Sequence, residues 1–443
     1  MDATFGYAWY GDDFTGASDT LATVAQSGLR TLLFCGVPTP GQFRAAGPLD
    51  AFGIAGAARS MAPDAMRAEL GQVAPFFAAS GARVLHYKCC STFDSAPHVG
   101  SIGVAVDALR RLAPDHPVLV VGGQPSLGRY CVFGELYAVA QLGGPVHRID
   151  RHPTMSRHPV TPMNEADLRV HLSRQGLHDI GLVDYRSHAT AGGFHAALDA
   201  FDASGDDETP LRVVLLDVSE HAQLEAIGAA IRQRAQREPL LAVGASSVAQ
   251  ALIEHARLPR RGRDDAIAPA RGAVFVIAGS LSPVTARQIG RATVYERVPL
   301  DAGRLAVDVG YLREQAARIG ETLRAGRHVL AYTSPLEHGR SSQPGEVSSR
   351  VAPASSALLA TVLRSAEVSR VGIAGGDTSS HAVRSLDAWG LEWIGRVDAG
   401  VPLLKARADD RSIDGLELML KGGQMGGDDI FDVLVRGRAA PAP

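Results

Sequence analysis

Lysine is nearly missing from this chain. Only Lys88, Lys405 and Lys421 occur, although the 443 residues carry 44 Lys plus Arg. Almost every basic group is an arginine, so each lysine position is more informative than usual. A strong excess of charge is missing too. The formal net charge is −3, which points away from nucleic-acid and membrane-surface partners. Cysteine is scarce: Cys35, Cys89, Cys90 and Cys131 form no C-x-x-C pair and no zinc spacing. A reduced, cytoplasmic protein is the simplest expectation. No apolar run is long enough to span a bilayer. Met1-Asp2-Ala3-Thr4 lacks the basic and apolar regions of a signal peptide.

Familiar catalytic motifs are absent as well. There is no G-x-x-x-x-G-K-[ST] phosphate loop and no H-E-x-x-H metal spacing. No G-x-S-x-G nucleophile elbow occurs. The first strand is not followed by G-x-G-x-x-G, which counts against a Rossmann-type oxidoreductase. Internal repeats and low-complexity runs are not evident.

What is present is an alternation of apolar strands and helical segments. Strands are expected at 5–10, 30–35, 51–54, 83–87 and 118–121, and near Ile180, Val213 and Leu241. Helices are expected over 17–27, 65–79, 101–112 and 164–173. Such alternation implies a parallel sheet with helices on its faces. The pattern breaks at Arg257-Leu258-Pro259-Arg260-Arg261-Gly262-Arg263-Asp264-Asp265, which is charged and aperiodic. It resumes at the Ala273 strand. Two α/β domains follow, 1–258 and 272–443, with a linker over 259–271.

The second domain is organised around Arg370-Val371-Gly372-Ile373-Ala374-Gly375-Gly376-Asp377-Thr378-Ser379. It reads as a buried strand, two glycines and a capped helix. Such a turn aims free N–H groups at one spot, which attracts phosphate. Gly279-Ser280-Leu281-Ser282 and Lys421-Gly422-Gly423 end other strands in the same manner. Repeated Gly/Ser/Thr loops at strand ends suit a nucleotide cradle that has no phosphate loop.

In the first domain three polar loops follow strands. Asp12 and Asp13 are adjacent carboxylates, so one of them needs a partner or a task. Arg59 offers a planar fork that suits a carboxylate substrate. Lys88 ends a buried strand and opens Lys88-Cys89-Cys90-Ser91-Thr92-Phe93-Asp94-Ser95; a buried lysine needs a partner or a role. The two cysteines read as buried and structural rather than nucleophilic. Gly128-Arg129 and the His/Arg/Pro-dense stretch 150–163 add a segment that reads as an ordered binding loop.

Taken in order, these marks resemble the four-carbon acid sugar kinases. The matching runs are D-D-F-T-G-A at Asp12 to Ala17 and K-C-C-S-T-F-D-S at Lys88 to Ser95. R-H-P-V-T-P-M-N-E-A-D-L from Arg157 to Leu168, G-S-L-S-P-V-T at Gly279 to Thr285 and G-G-D-T-S at Gly375 to Ser379 complete the set. The resemblance implies ATP-dependent phosphorylation of a small acid sugar such as threonate, erythronate or an oxo form. It implies an acid-sugar-binding domain, then a nucleotide-binding domain, with the active site between them. By similarity Asp12 or Asp13, Arg59, Lys88, Cys89, Cys90 and Ser91 hold the substrate. Ser280, Gly375, Gly376, Asp377, Thr378 and Gly423 hold ATP.

Phosphoryl transfer requires alignment and charge neutralisation more than covalent chemistry. Asp13, or its neighbour Asp12, is the expected general base. Arg59 is the expected clamp on the substrate carboxylate, and Mg²⁺ the expected bridge between phosphate oxygens. Asp377 rivals the first-domain aspartates as base or metal contact. The family's last motif is commonly L-K-S-G-N-F-G; here Leu420-Lys421-Gly422-Gly423-Gln424-Met425-Gly426 stands instead. That departure leaves the exact acid open, including a branched oxo-isoapionate type. Metal ligands and assembly into a homo-oligomer are left open too. A sugar-acid-binding protein without turnover is the alternative from another class.

Overall fold

The computed structural model describes residues 5–140, 143–158, 160–203, 213–258, 266–279, 282–333, 344–398, 400–423 and 425–438, with backbone alone for 344–349, 376, 377 and 380. The chain divides into two compact units, Met1–Arg260 and Arg261–Pro443. Both are α/β, each built on a mainly parallel sheet flanked by helices. Residues 259–265 of the expected linker lie outside the described residues.

The strands of the first unit are β1 (Tyr7–Gly11), β2 (Thr31–Phe34), β3 (Ala51–Ala55), β4 (Val84–Lys88), β5 (Val118–Val121), β6 (Arg129–Val132), β7 (Glu135–Val139), β8 (Val146–Arg148), β9 (Gly181–Val183), β10 (Val213–Leu216) and β11 (Leu240–Gly244). A wholly parallel sheet runs β2-β3-β1-β4-β11-β5-β10-β9. Every residue of β1, β3, β4, β5, β10 and β11 is buried. Helices cover both faces of such a sheet, which is why its strands read as continuous apolar runs. The helix Phe14–Ala25 buries Phe14, Ala17, Leu21 and Val24 along one stripe. Pro63–Ser80 does the same with Met66, Leu70, Val73 and Phe77.

Register decides where the loops go. Gly11 pairs with Ala55 and Lys88, Lys88 with Gly244, and Gly244 with Val121. Five neighbouring strands therefore end level. Being parallel, they send their following loops off one edge, where sheets of this kind bind ligands.

The second unit contains β12 (Val274–Ala278), β13 (Tyr295–Leu300), β14 (His328–Thr333), β15 (Arg370–Ala374), β16 (Ala388–Asp398), β17 (Val401–Ala408) and β18 (Glu417–Lys421). β13-β14-β12-β15-β18 are parallel, and β17 and β16 continue antiparallel from β18. Val276, Leu330, Met419, Phe431 and Leu434 lie in its core. Arg370 is buried there, and its guanidinium meets the Glu417 carboxylate and the Leu434 and Ala268 carbonyls.

Several elements differ from the sequence reading. The first helix starts at Phe14 rather than Ala17, because the Asp13 side chain accepts from Gly16 N at 2.9 Å and caps it. The helix expected over 164–173 is shorter, Leu168–Ser173, capped by Asp167. The antiparallel meander β6-β7-β8 and the hairpin β16-β17 were not legible, the latter because bulges interrupt its two-residue alternation.

Candidate functional site

In the first unit the loops after β1, β3, β4 and β11 are laced together by backbone bonds. Asp12 N donates to the Lys88 carbonyl at 3.0 Å, and Arg59 N to the Asp12 carbonyl at 3.0 Å. Cys89 N donates to the Gly244 carbonyl at 2.9 Å. The side chains follow. Arg59 Nε donates to Asp12 Oδ2 at 3.2 Å and Nη2 to Asp12 Oδ1 at 2.7 Å. Nη2 also reaches Asp13 Oδ1 at 2.8 Å. Two adjacent carboxylates thus share one guanidinium.

The two aspartates are unequal. Asp12 is 3% exposed, and both its oxygens face Arg59. Burial raises its carboxyl above the ordinary carboxylate value, the Arg59 charge opposes that rise, and Asp13 adds to it. Asp13 is partly exposed and spends Oδ1 on Gly16 N and Arg59. No described residue donates to its Oδ2.

Lys88 lies buried beneath this pair. Its Nζ donates to the Cys89 carbonyl at 2.8 Å, and no described carboxylate forms an ion pair with it. Gly16 lets it in: a Cβ there would sit 2.1 Å from Lys88 Nζ. Cys89 is 1% exposed, its amide and carbonyl are both engaged, and burial raises its thiol well above the ordinary value. Burial, with the Asp94 charge adding to it, pushes the Cys90 thiol up to about 11; its Sγ meets Thr92 Oγ1 at 3.0 Å. Neither is a thiolate near neutrality. Ser91 is half-buried, and its hydroxyl bonds no described residue.

Arg59, then, does not stand open as a clamp for a carboxylate. Its Nε and Nη2 are engaged by protein, and only Nη1 donates to no described residue. Sequence reasoning also missed what holds the Lys88–Ser95 loop. Ser95 Oγ donates to the Phe93 carbonyl at 2.9 Å, lies 2.9 Å from His171 Nε2 and accepts from Gln175 Nε2 at 2.8 Å. Burial lowers the His171 pKa to about 4, so it is a neutral strut near neutrality. The H-x-x-x-Q spacing, running from the helix Leu168–Ser173 to just past its end, was the available signal, and it is common.

In the second unit Gly375 closes β15 with φ +131°, a conformation that favours glycine. Its N–H donates to the Lys421 carbonyl at 2.9 Å, and the helix Gly376–Ser385 begins at the next residue. Thr378 is buried beside Gly279, where a Cβ would lie 2.4 Å from its Oγ1. Thr285 Oγ1 donates to the Gly423 carbonyl at 2.9 Å and accepts from Lys421 Nζ at 3.1 Å. Burial lowers the Lys421 pKa to about 8. Gln288 Nε2 donates to the Met425, Gly426 and Gly427 carbonyls at 3.0, 2.8 and 3.0 Å and so pins the loop after β18. Ser282 caps the helix Pro283–Arg291. Ser280 and the side chain of Asp377 lie outside the described residues.

Two domain models match this chain: a sugar-binding N-terminal domain over residues 7–252 and a nucleotide-binding C-terminal domain over 275–431. A 3-oxo-isoapionate kinase of Paraburkholderia graminis is 36% identical over 98% of this chain and 95% of its own. A 3-oxo-tetronate kinase of Methylobacterium radiotolerans is 32% identical over 95% and 96%. A Salmonella typhimurium LT2 crystal structure described as a tRNA synthase superposes with TM-score 0.78 at 23% identity, covering 96% of this chain and 98% of its own. A Haemophilus influenzae structure gives 0.74 at 24%, with the same coverages. At such identity the two structures speak for the fold alone. The domain models and the end-to-end likeness to named kinases agree with the ordered motifs, and the chain belongs to the four-carbon acid sugar kinase family.

Proposed function

We propose that this protein is an ATP-dependent kinase that phosphorylates a hydroxyl of a small 3-oxo sugar acid. The observation that carries the reading is the Asp13 carboxylate at the strand-end edge of a sugar-binding domain. One of its oxygens is fixed by Gly16 N and Arg59, and the other has no described partner. A base for an alcohol needs an oriented, unoccupied lone pair within reach of the hydroxyl. Asp12, doubly held by Arg59, fixes the fork that in turn fixes Asp13. Lys88 and Ser91 have donors to spare for substrate oxygens.

The second unit fits a nucleotide. The Gly375 turn, Gly376 and Asp377 at the helix start, Thr378, Lys421 and Gly423, with Ser280, would hold ATP. Among the described residues no three His, Cys, Asp or Glu side chains gather to hold a metal. Mg²⁺, when bound, would neutralise phosphate charge, with Asp377 the acidic residue at the helix start that would face it. The acid and the nucleotide would be recognised by separate domains.

The test is ADP release in a coupled assay with ATP, Mg²⁺ and either 3-oxo-tetronate or 3-oxo-isoapionate. Release that depends on acid is expected. Equal release with and without acid would contradict the reading.

A further inference from the structure

Arg59 spends Nε and Nη2 on aspartates, and Lys88 Nζ donates to the Cys89 carbonyl, which leaves the carboxylate of an acid acceptor room for a further cation. The antiparallel meander of the first unit supplies one. Arg129 opens β6, directly after the left-handed Gly128 turn that follows β5. Its Nη1 donates to the Leu127 and Val139 carbonyls. Its Nε is buried without a partner, and no described residue accepts from Nη2.

This is unusual for the neighbourhood. Arg148 in the same meander pairs with Asp150 and Glu135, and nearby Arg169 pairs with Asp167. Arg129 pairs with no described carboxylate. It bridges Gln124 just after β5, the strand that ends level with Lys88 across β11, and its charge adds to burial in lowering the His152 pKa.

His152 is 4% exposed. Its Nδ1 accepts from Thr154 N and Met155 N, each at 3.1 Å. The ring proton therefore sits on Nε2. The Val139 carbonyl draws weakly on the ring proton, but Nε2 completes no hydrogen bond with a described residue. A buried ring N–H and the Nε–Nη2 edge of an arginine fork thus lack a hydrogen-bond partner among the described residues, at the strand-end edge that carries the Lys88 loop. Buried donors are normally satisfied, and two left open together in a sugar-binding domain offer a place for an acceptor from outside the chain. A planar carboxylate suits this pair of donors.

We propose that Arg129 and His152 form the subsite that takes the carboxylate of the acceptor. The inference rests on the kinase reading above. It also gives a task to Gly128-Arg129 and to the His-rich stretch 150–163, neither of which the catalytic loops use.

The test compares 3-oxo-tetronate with erythrulose, the same ketone with a hydroxymethyl group in place of the carboxylate. Arg129→Met keeps apolar volume and removes the fork. His152→Asn keeps an acceptor for the Thr154 and Met155 amides and removes the ring N–H. For Arg129→Met, KM for 3-oxo-tetronate is expected to rise about 10- to 150-fold, the span of a lost charge-assisted hydrogen bond. The KM for ATP and the handling of erythrulose should hold, while the melting temperature should fall only by what the Nη1 bonds to the Leu127 and Val139 carbonyls contribute. Erythrulose is read by turnover or, failing that, by its inhibition constant. His152→Asn should move the acid in the same direction, and Arg129→Lys should restore part of the loss. An unchanged KM for the acid would overturn the subsite, as would an equal loss for acid and erythrulose. A wild-type enzyme with no acid-dependent turnover would instead defeat the kinase reading itself.

Discussion

Arg59 holds Asp12 with two hydrogen bonds, Nε to Oδ2 at 3.2 Å and Nη2 to Oδ1 at 2.7 Å, across 47 residues of chain. The pair ties the loop after β3 to the loop after β1. It also explains how two neighbouring carboxylates coexist at a sheet edge: the buried one is neutralised, and the partly exposed one is oriented.

Removing Arg59 should therefore cost more than substrate affinity. Arg59→Ala leaves Asp12 buried and unpaired, and breaking a buried pair from one side typically costs about 3–5 kcal/mol. The partial exposure of Arg59 puts the expected loss at the lower end, about 3 kcal/mol. The loss should shrink as pH falls. Without its partner Asp12 holds its proton more tightly folded than unfolded, so acid favours the folded variant. Urea unfolding at neutral and mildly acid pH measures this. A variant as stable as wild type at both would contradict the pairing.

Asp13→Asn keeps the helix cap but removes the proton acceptor. A fall in kcat of about 10²–10⁴ is expected, with ADP binding unchanged. Asp12→Asn should act differently, lowering stability and turnover together, because it loosens Arg59. Collapse of turnover in Asp377→Asn, with both first-unit variants near normal, would move the base to the second unit.

Gly375→Val places a β-branched side chain at φ +131°, in the turn proposed to hold the phosphates. Such strain costs on the order of 1–3 kcal/mol. Loss of ADP binding in a folded protein is expected, read by calorimetry alongside circular dichroism. Wild-type ADP affinity would place the nucleotide elsewhere.

Lys421 gives a pH signature. Burial lowers its pKa to about 8, so its ammonium is present below that value and lost above it. The rate constant kcat/KM for ATP, which reports the free enzyme, should decline as pH rises through about 8. Stability should move the other way. Between about 8 and the ordinary lysine value of 10.5 the unfolded chain keeps a proton that the folded chain sheds, so the folded state gains as pH rises. Lys421→Met should flatten both profiles.

Much of this was legible in the sequence, and the reason is physical. Buried parallel strands such as Val118–Val121 and Val213–Leu216 are apolar end to end, and the polar residues that follow them stand out. Lys88 was visible because lysine is nearly absent from this chain, and Asp12 and Arg59 because each lies in a polar loop that follows a buried strand. What could not be read was which of them face one another. The Arg59 fork looks the same in sequence whether it meets a ligand or Asp12. Arg129 and His152 could be noticed, but not paired, because their proximity depends on a meander whose short strands carry a weak pattern. The Ser95, His171 and Gln175 strut was hidden for the same reason: its partners come from distant segments.

The most direct measurement is ³¹P nuclear magnetic resonance of the protein with ATP, Mg²⁺ and 3-oxo-tetronate. The account predicts that a new phosphomonoester resonance grows in step with ADP, and that neither grows at a comparable rate in Asp13→Asn. ADP accompanied only by inorganic phosphate, or no change in the ATP resonances with either 3-oxo acid, would contradict it.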